Sequence, residues 1–346
     1  MASTTWVTAT SSDWHEVLPL VEHDTYHLPE YVSICGRLEA AESTAFSWSD
    51  DRGGRFFLPL LFREIPGTSE VDATSPYGYP GPAVSPGGLG HDQWLAACAA
   101  LRSALEERGA RSCFVRLNPL LPADLEAMAT VGAVVHHGST VVMDLRRTDE
   151  EILAGIRKNH RRDIKRSNGE GRVATVDEAW AHLPQFVHVY HETMRRVGAD
   201  ERYSFSQEYF EELRKDLDEH VHLIVVHAGD ELTAGAVLFE TSGIVQYHLG
   251  GTLDRFLAQQ PAKLIFDLAW RWSKQRGDAA LHLGGGVGAA ADALLRFKQG
   301  FSKEERSFHT WRIVPSREAY ESLVRRQGVD LRSGDDEVFP AYRSLG

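Results

Sequence analysis

The sequence predicts an α/β chain with mixed sheets, organised as two domains in tandem, and three observations lead to this expectation. The chain has 346 residues, which at about 150 residues per domain is the length of two domains. Apolar residues make up 42% and charged residues 25%, as is typical of folded globular chains. The same order of helices and strands is predicted in both halves, although the halves share negligible sequence identity. Such a repeat favours two mixed α/β domains.

The first half alternates helical and strand patterns around a long loop rich in Gly and Pro. After this loop, Trp94, Cys98, Leu101 and Leu105 form one stripe at helical spacing. Cys98 is therefore expected in the core rather than as a reactive thiol. The predicted elements are, in order, helices within 12–39, strands at 45–48 and 55–62, the loop at 72–90, a helix at 91–108, a strand at 112–117, a short helix at 122–129 and a strand at 139–145.

The second half repeats this order after a strongly basic segment. Its predicted elements are helices at 176–196 and 206–217, strands at 221–226, 234–240 and 244–249, a helix at 263–275, a strand at 280–283, a helix at 290–300 and a strand at 306–314. The expected boundaries are 1–147 for the first domain, 148–170 for a basic connecting helix, 171–330 for the second domain and 331–346 for a C-terminal tail.

The basic segment, residues 157–166, concentrates positive charge in an acidic chain. Six Lys and Arg against one Asp give this segment a charge of +5. The net charge of the whole chain is −12, so the other 336 residues together carry −17. A helix is expected here, with Thr148 as its N-cap and Glu151 completing a capping box. Its cations suit phosphate groups of a nucleotide or RNA. The alternative is a solvated charged helix between two domains.

The remaining composition excludes several classes of protein and partner. The acidic balance excludes a wholly basic nucleic-acid coat protein, and no run approaches the roughly 18 apolar residues of a membrane span. The first residues lack the pattern of a signal peptide. Three widely spaced cysteines indicate reduced thiols, so a cytoplasmic location is expected. The sixteen histidines show no convincing metal-ligand spacing, so no metal is expected.

The loop around residues 72–82 is the first candidate site. Three prolines and two glycines fix its backbone, so Tyr77 and Tyr79 can present rings and hydroxyls to a ligand. The alternative is a packed loop with buried tyrosines. Asp72, at its start, is a candidate general base or a simple turn cap.

The second candidate site lies at predicted strand ends in the second half. Tyr247 and His248 precede Gly250-Gly251 and face opposite sides of a strand, and His248 is a candidate proton carrier or a structural residue. Gly284-Gly285-Gly286 opens another strand end to a ligand or chain. Lys298, next to Phe297, would place a cation near these glycines, where it can neutralise a developing oxyanion or simply lie on the surface.

In this order, the motifs resemble FemABX-type transferases, which contain tandem GNAT-like acyltransferase domains. The resemblance covers about residues 20–315. It is carried by the 76–82 loop, the basic 157–166 segment, Tyr190-x-x-Thr193-x-x-Arg196 with Tyr209-Phe210, Tyr247-x-x-Gly250-Gly251-Thr252, Gly284-Gly285-Gly286 and Phe297-Lys298-x-Gly300-Phe301.

The resemblance implies transfer of an aminoacyl or acyl group to an amine, with amide or peptide bond formation. Such proteins typically take the amino acid from aminoacyl-tRNA, and their acceptor is a peptidoglycan precursor or a natural-product intermediate. Lys298 would stabilise the oxyanion with Phe297 beside it. The general base remains open among Asp72, His248 and a substrate phosphate. By the same resemblance, Arg157 and Arg161 would contact phosphates, and Tyr77, Tyr209 and Tyr247 would shape the acceptor pocket.

Two departures from the family pattern keep alternatives open. The coiled-coil arm of some members is absent, because no heptad pair occurs. Where an acyl-CoA enzyme would have a Gly-rich turn, residues 254–263 lack glycine, and Pro261 removes one amide donor. No cofactor is therefore expected, unless acyl-CoA is the donor. The rivals are an acyl-CoA-dependent N-acyltransferase and a non-catalytic binding protein on the same fold.

Overall fold

The computed structural model describes residues 2–286, 292–329 and 338–343, except for the side chain of Arg202. The chain divides into two compact units. The first consists of residues 1–137 and 308–346, and the second of residues 138–307.

In the first unit, one strand and then two helical segments precede the remaining strands of the sheet. Its strands pair in the order β1-β2-β3-β4-β6-β13, with β5 beside β3. The core lies between these strands and α3, whose buried stripe includes Cys98 as predicted. The elements are α1 (Ser12–Val17), α2 (Pro29–Glu39), α3 (His91–Glu107), α4 (Leu125–Ala129) and α11 (Arg317–Arg326), with β1 (Ser3–Thr8), β2 (Glu42–Ser49), β3 (Arg55–Glu64), β4 (Val71–Thr74), β5 (Ala83–Val84), β6 (Ala110–Arg116) and β13 (Glu304–Ile313).

The second unit repeats that order of elements, as the sequence predicted. Its strands pair in the order β7-β12-β11-β10-β9-β8. A second core, centred on Phe266 and Trp270 of α9, packs against these strands. The elements are α5 (Asp149–Gly155), α6 (Lys158–Gly169), α7 (Leu183–Val197), α8 (Gln207–Leu217), α9 (Ala262–Arg276) and α10 (Ala293–Lys298), with β7 (Ala133–Asp144), β8 (Arg172–Val176), β9 (Val221–Ala228), β10 (Glu231–Thr241), β11 (Ile244–Thr252) and β12 (Ala280–Gly284).

The units do not follow the boundaries expected from sequence order. The last strand of each sequence half belongs to the other unit: β7 pairs with β12 through residues 141–144, and β13 pairs with β6 through residues 310–313. The chain therefore passes between units within β7 and β13. The expected boundaries at 147 and 330 differ from this division because backbone pairing, which crosses the halves, decides which unit a strand joins.

The C-terminal part of the chain is described only for residues 338–343. Tyr342 is buried there beside Tyr320 and Leu323 of α11, and its hydroxyl lies 2.6 Å from that of Ser112. These residues belong to the first unit rather than to a separate tail. The rest of the expected tail lies outside the described residues.

Four strands were not predicted, and one predicted helix is broken. Strands β1, β4, β5 and β8 are short or polar, so their alternation is weak. Thr148 and Glu151 form the predicted capping box. However, the helix stops at Gly155, and a second one begins at Lys158. No helix among the described residues is long and apolar enough to cross a membrane.

Candidate active site

The site begins where two parallel strands of the second unit separate. Strand β11 pairs with β12 only from Ile244 to Gln246, opposite Ala280 to His282. Beyond this point β11 continues to Thr252 beside β10 alone. The separation leaves one edge of β11 open to a ligand, between the strand and the glycines that follow β12.

Lys298 lies at this separation. Its side chain is 5% exposed, and Nζ donates a hydrogen bond of 2.7 Å to the carbonyl oxygen of Gly285, directly after β12. Nζ also lies 5.5 Å from the ring centre of Tyr247, the first β11 residue beyond the paired segment. The alternative of a surface lysine is thereby excluded.

Burial sets the protonation behaviour of Lys298. Removal of the ammonium from water lowers the pKa of Lys298 to about 7, and the carboxylate of Asp292 offsets only part of this effect. Near neutral pH the amine therefore exchanges protons readily, as an acid–base catalyst requires.

Aromatic rings form the wall beside the lysine. Tyr247 packs on Phe266 of α9, with ring centres 4.8 Å apart, and burial raises its pKa above the usual value. The ring centre of Phe297 lies 5.6 Å from those of both Phe266 and Phe301. Lys298, Tyr247 and Phe297, which the sequence placed in one candidate site, are thus brought together in the second unit.

His248 and Tyr209 lie on the other face of β11. His248 occupies a bulge, because Val237 pairs with Leu249 and Leu238 pairs with Tyr247. Its Nε2 lies 3.2 Å from the hydroxyl of Tyr209, and its ring stacks on another aromatic residue. Burial lowers the pKa of His248 to about 3, which makes it a poor general base near neutral pH. Tyr209 is also buried, so the structure gives it a packing role.

The Tyr190-x-x-Thr193-x-x-Arg196 motif of α7 holds the end of β11. The Thr252 amide donates to Thr193 Oγ1 at 2.9 Å, and Arg196 donates to the Thr252 carbonyl at the same distance. Arg196 also pairs with Asp254. The motif therefore fixes the strand that lines the site.

Helix α6 has two distinct faces. His160, Asp163, Ile164 and Ser167 are buried at helical spacing. Five exposed cations occupy the rest of the surface, and Arg162 and Arg166 pair with Asp163. The other three cations are Lys158, Arg161 and Lys165. No described residue forms an ion pair or a hydrogen bond with their charged groups.

Arg157 differs from Arg161, although the family resemblance implies the same role for both. It lies in the break between α5 and α6, is partly exposed, and donates from Nη1 to the carbonyl of Arg296 at 3.1 Å. Arg161 lies on the open face of α6. Of these two arginines, Arg161 is therefore the one that presents its whole guanidinium to a ligand.

The start of α9 is not built as a pyrophosphate site. Pro261 has no amide hydrogen, and the amides of Lys263 and Leu264 already donate to the carbonyls of Gln260 and Pro261. The buried ammonium of Lys263 binds the Asp163 carboxylate of α6 at 2.7 Å. A carboxylate of the protein itself thus lies beside the first turn of this helix.

In the first unit, the corresponding strand ends are covered. Ser75 extends the pairing of β4 with β6 through a 2.8 Å hydrogen bond to the Phe114 carbonyl. The following loop packs so closely that a Cβ at Gly78, where φ is +105°, would lie 2.2 Å from the Tyr26 ring. At Gly81 it would lie 2.7 Å from the Asn118 amide. The loop glycines therefore serve close packing.

Tyr77 and Tyr79 of this loop are partly exposed. The Tyr77 carbonyl accepts a hydrogen bond from the Tyr31 hydroxyl, and the Tyr79 ring packs edge-on against Phe308 at 5.2 Å. Both belong to the first unit, whereas Lys298 belongs to the second.

The proposed role of Asp72 as a general base needs correction. Its side chain is fully buried in the first unit, and both carboxylate oxygens bind guanidinium groups, from Arg63 at 3.0 Å and from Arg343 at 2.5 and 2.9 Å. A carboxylate saturated in this way is not available to a substrate amine. Asp72 instead anchors the 338–343 segment.

Sequence reasoning missed the Asp163–Lys263 pair and His160. Asp163 is the only acidic residue in the basic segment and shares a helical face with Ile164, which was the available signal. The partner Lys263 lies a hundred residues away, so no local pattern indicated it. In the described part of the chain, no group of three His, Cys, Asp or Glu residues is arranged to hold a metal ion.

Comparison with known proteins agrees with the geometry. Residues 154–299 match the family described as "Acetyltransferase (GNAT) domain". The crystal structure of FemX is similar with a TM-score of 0.68 at 13% identity, over 94% of this chain and 99% of that chain. No curated protein matches this chain.

Two further structures share the fold. One is the C-terminal DUF2156 domain of a putative lysylphosphatidylglycerol synthetase from Agrobacterium fabrum, with a TM-score of 0.55 and 15% identity over 87% of this chain and 90% of that chain. The other is L-PGS from Bacillus licheniformis, with the same score and identity over 92% and 97%.

The domain match over residues 154–299 and the fold of the whole chain define a GNAT-fold protein. Within that class, the chain has the tandem fold of FemX, which confirms the resemblance drawn from the motifs.

The buried ammonium of Lys298 predicts a distinctive pH dependence of stability. Its pKa is lower in the folded than in the unfolded chain, so between about pH 7 and 10 the unfolded chain binds more protons. The free energy of unfolding of the wild type should therefore rise across this window relative to Lys298→Met, by up to about 1.4 kcal/mol per pH unit. Denaturant titrations at several pH values measure the difference. Parallel curves for the two proteins would contradict this account of Lys298.

Proposed function

We propose that this protein transfers an aminoacyl group from aminoacyl-tRNA to an amine and forms an amide or peptide bond. The acceptor is an amine of a peptidoglycan precursor or a natural-product intermediate. The observation that carries the proposal is the position of Lys298, whose Nζ lies buried where β11 and β12 separate. The names of FemX and lysylphosphatidylglycerol synthetase are consistent with aminoacyl transfer.

Lys298 supplies what attack on an ester needs. A neutral amine adds to the ester carbonyl, and the ammonium of Lys298 stabilises the oxyanion. The C–O bond to the ribose then breaks as the amide forms, and the attacking nitrogen loses one proton while the ribose oxygen gains one. With a pKa of about 7, Lys298 can relay this proton, giving its own to the ribose oxygen and accepting that of the nitrogen.

Two features support tRNA rather than acyl-CoA as the donor. The face formed by Lys158, Arg161 and Lys165 gives an acidic chain a local site for a phosphate backbone. The start of α9, where acyl-CoA enzymes bind pyrophosphate, has bonded or missing amides and a neighbouring carboxylate, Asp163. Because Pro261 has no amide hydrogen and the Lys263 and Leu264 amides already donate to carbonyls, few donors remain there for a pyrophosphate.

The donor is tested with total charged tRNA and acyl-CoA in parallel. The acceptors are a peptidoglycan-precursor peptide with a free side-chain amine and a panel of small amines. We expect mass spectrometry to detect an amide when charged tRNA is the donor and not when acyl-CoA is the donor. Ribonuclease treatment of the charged tRNA should abolish this product. Amide formation from acyl-CoA would assign the donor to the rival class, and binding without turnover of either donor would favour a binding protein.

The role of Lys298 is tested by substitution in the same assay. Lys298→Met should lower turnover by about 10²–10³-fold, the usual cost of one oxyanion donor, while the protein remains folded. Lys298→Arg should also stay impaired, because a guanidinium keeps the charge but does not release a proton. The matched control Lys303→Met changes an exposed lysine and should have wild-type activity. Normal turnover of Lys298→Met would disprove the assignment.

The basic face of α6 is tested by charge reversal. Replacing Lys158, Arg161 and Lys165 by Glu should raise KM for charged tRNA at least tenfold, with turnover at saturation retained. The dependence of donor binding on salt should weaken by roughly 0.7–0.9 in logarithmic slope per lost phosphate contact. A triple variant with the same change in net charge, Arg214→Glu, Lys215→Glu and Lys303→Glu, controls for overall charge. Equal effects in both variants would rule out a local phosphate site.

A further inference from the structure

Lys298 is carried by a helix too short to position it alone. Helix α10 has six residues, Ala293–Lys298, and isolated helices of this length are unstable in water. Asp292 caps its N-terminus by accepting a 2.8 Å hydrogen bond from the Leu295 amide. At the other end, the carbonyls of Leu295, Phe297 and Lys298 accept the amides of Gln299, Gly300 and Phe301, so only this one turn holds the helix end locally.

Helix α6 and the residue before it supply three further donors, two to carbonyls of α10 and one to the carbonyl of Gly300 just after it. The Arg157 amide donates to the Gly300 carbonyl at 2.8 Å, and Arg157 Nη1 donates to the Arg296 carbonyl at 3.1 Å. His160 Nε2 donates to the Phe297 carbonyl, also at 3.1 Å. These bonds surround Lys298 in sequence on both sides.

The break between α5 and α6 makes one of these bonds available. If the helix continued through Ile156, the amide of Arg157 would bond four residues back within its own helix. Instead this amide faces α10. The positive guanidinium of Arg157 also lies at the C-terminal end of that helix, where the helix dipole favours a cation.

His160 is held in one protonation state and one place. A carbonyl only accepts, so Nε2 carries the hydrogen, and Nδ1 has no hydrogen-bond partner among the described residues. Burial, with the nearby cations of Lys263 and Arg157, lowers the pKa of His160, against the opposing effects of the hydrogen bond to the Phe297 carbonyl and of Asp163. The imidazole therefore stays neutral and keeps its Nε2 hydrogen near neutral pH.

Gly300 completes this arrangement. The His160 ring packs at 4.8 Å from the Phe301 ring and so close to Gly300 that a Cβ there would lie 2.2 Å from Nε2. Any larger residue at Gly300 would displace the imidazole from the Phe297 carbonyl. The glycine of the Phe297-Lys298-x-Gly300-Phe301 motif therefore makes room for a donor from α6.

We propose that His160 is a positioning residue, which with Arg157 fixes the end of α10 and so aims Lys298 at the separation of β11 and β12. The proposal rests on the proposed function, in which Lys298 meets the reacting carbonyl. It gives the basic helix a second task, since one face binds phosphate while its first turn sets the catalytic amine.

The test measures Lys298 directly, without donor or acceptor. The wild type, His160→Leu, His160→Gln, Gly300→Ala and the control His188→Leu are labelled with an amine-selective reagent from pH 6 to 10, and Lys298 is followed by peptide mass spectrometry. In the described part of the chain, the titratable groups at this amine besides Lys298 are Asp292, the N-cap of α10, and Tyr247 on β11. The wild-type midpoint is expected near pH 7.

In His160→Leu and Gly300→Ala, we expect the labelling midpoint of Lys298 to rise by at least one pH unit, because the loosened helix lets water reach the amine. The limiting rate of labelling at alkaline pH should also rise, because the reagent reaches the amine more easily. Turnover in these variants should fall at least tenfold with KM for the donor unchanged. His160→Gln keeps a donor at a similar position and should recover most of the wild-type behaviour. The exposed His188→Leu should match the wild type.

The proposal is overturned if His160→Leu and Gly300→Ala fold but leave the Lys298 midpoint unchanged. It is also overturned if His160→Gln is as impaired as His160→Leu, since the ring would then act by packing alone. If His160→Leu does not fold, Gly300→Ala and His160→Gln decide by the same criteria. Labelling of Lys298 needs no substrate, so a failure here is distinct from a failure of the proposed donor.

Discussion

The structure of the second unit is organised around one buried amine. An ammonium removed from water is costly unless other groups compensate it. Among the described residues, the Gly285 carbonyl, the Tyr247 ring and the Asp292 carboxylate do so only in part for Lys298. The remaining cost appears as a lowered pKa. The buried amine lowers the stability of the fold, but near neutral pH it can act both as a cation and as a proton donor. A solvated lysine is also a cation there, but it does not readily release its proton.

Helix α6 connects that amine to the charge pattern of the chain. On its buried face Asp163 binds Lys263 and the neutral imidazole of His160 binds α10, whereas on its exposed face Lys158, Arg161 and Lys165 have no charged partner in the described part of the chain. A helix that was only a charged connector would not need buried polar residues with specific partners. The two faces explain why the most basic segment of an acidic protein is also one of its best anchored.

The sequence predicted the repeat of elements, the capping box and the grouping of Lys298 with Phe297 and Tyr247, because each depends on local pattern or on motif order. It did not predict the role of Asp72, since Arg343, which neutralises it, lies 271 residues away. The chemistry of His248 was equally hidden, because burial, and not residue type, makes it a weak base. The helix break at Ile156 depends on a tertiary hydrogen bond to Gly300, which helical periodicity does not encode.

The exchanged last strands have a consequence for synthesis of the chain. Strand β6 is complete by residue 116, but its neighbour β13 contributes residues 310–313. Contacts so distant in sequence form slowly, and domains that fold as they emerge normally finish in order from the N-terminus. Here the sheet of the first unit keeps an open edge until residues 310–313 have left the ribosome. The second unit, which receives its exchanged strand from the preceding half, is the one able to fold first.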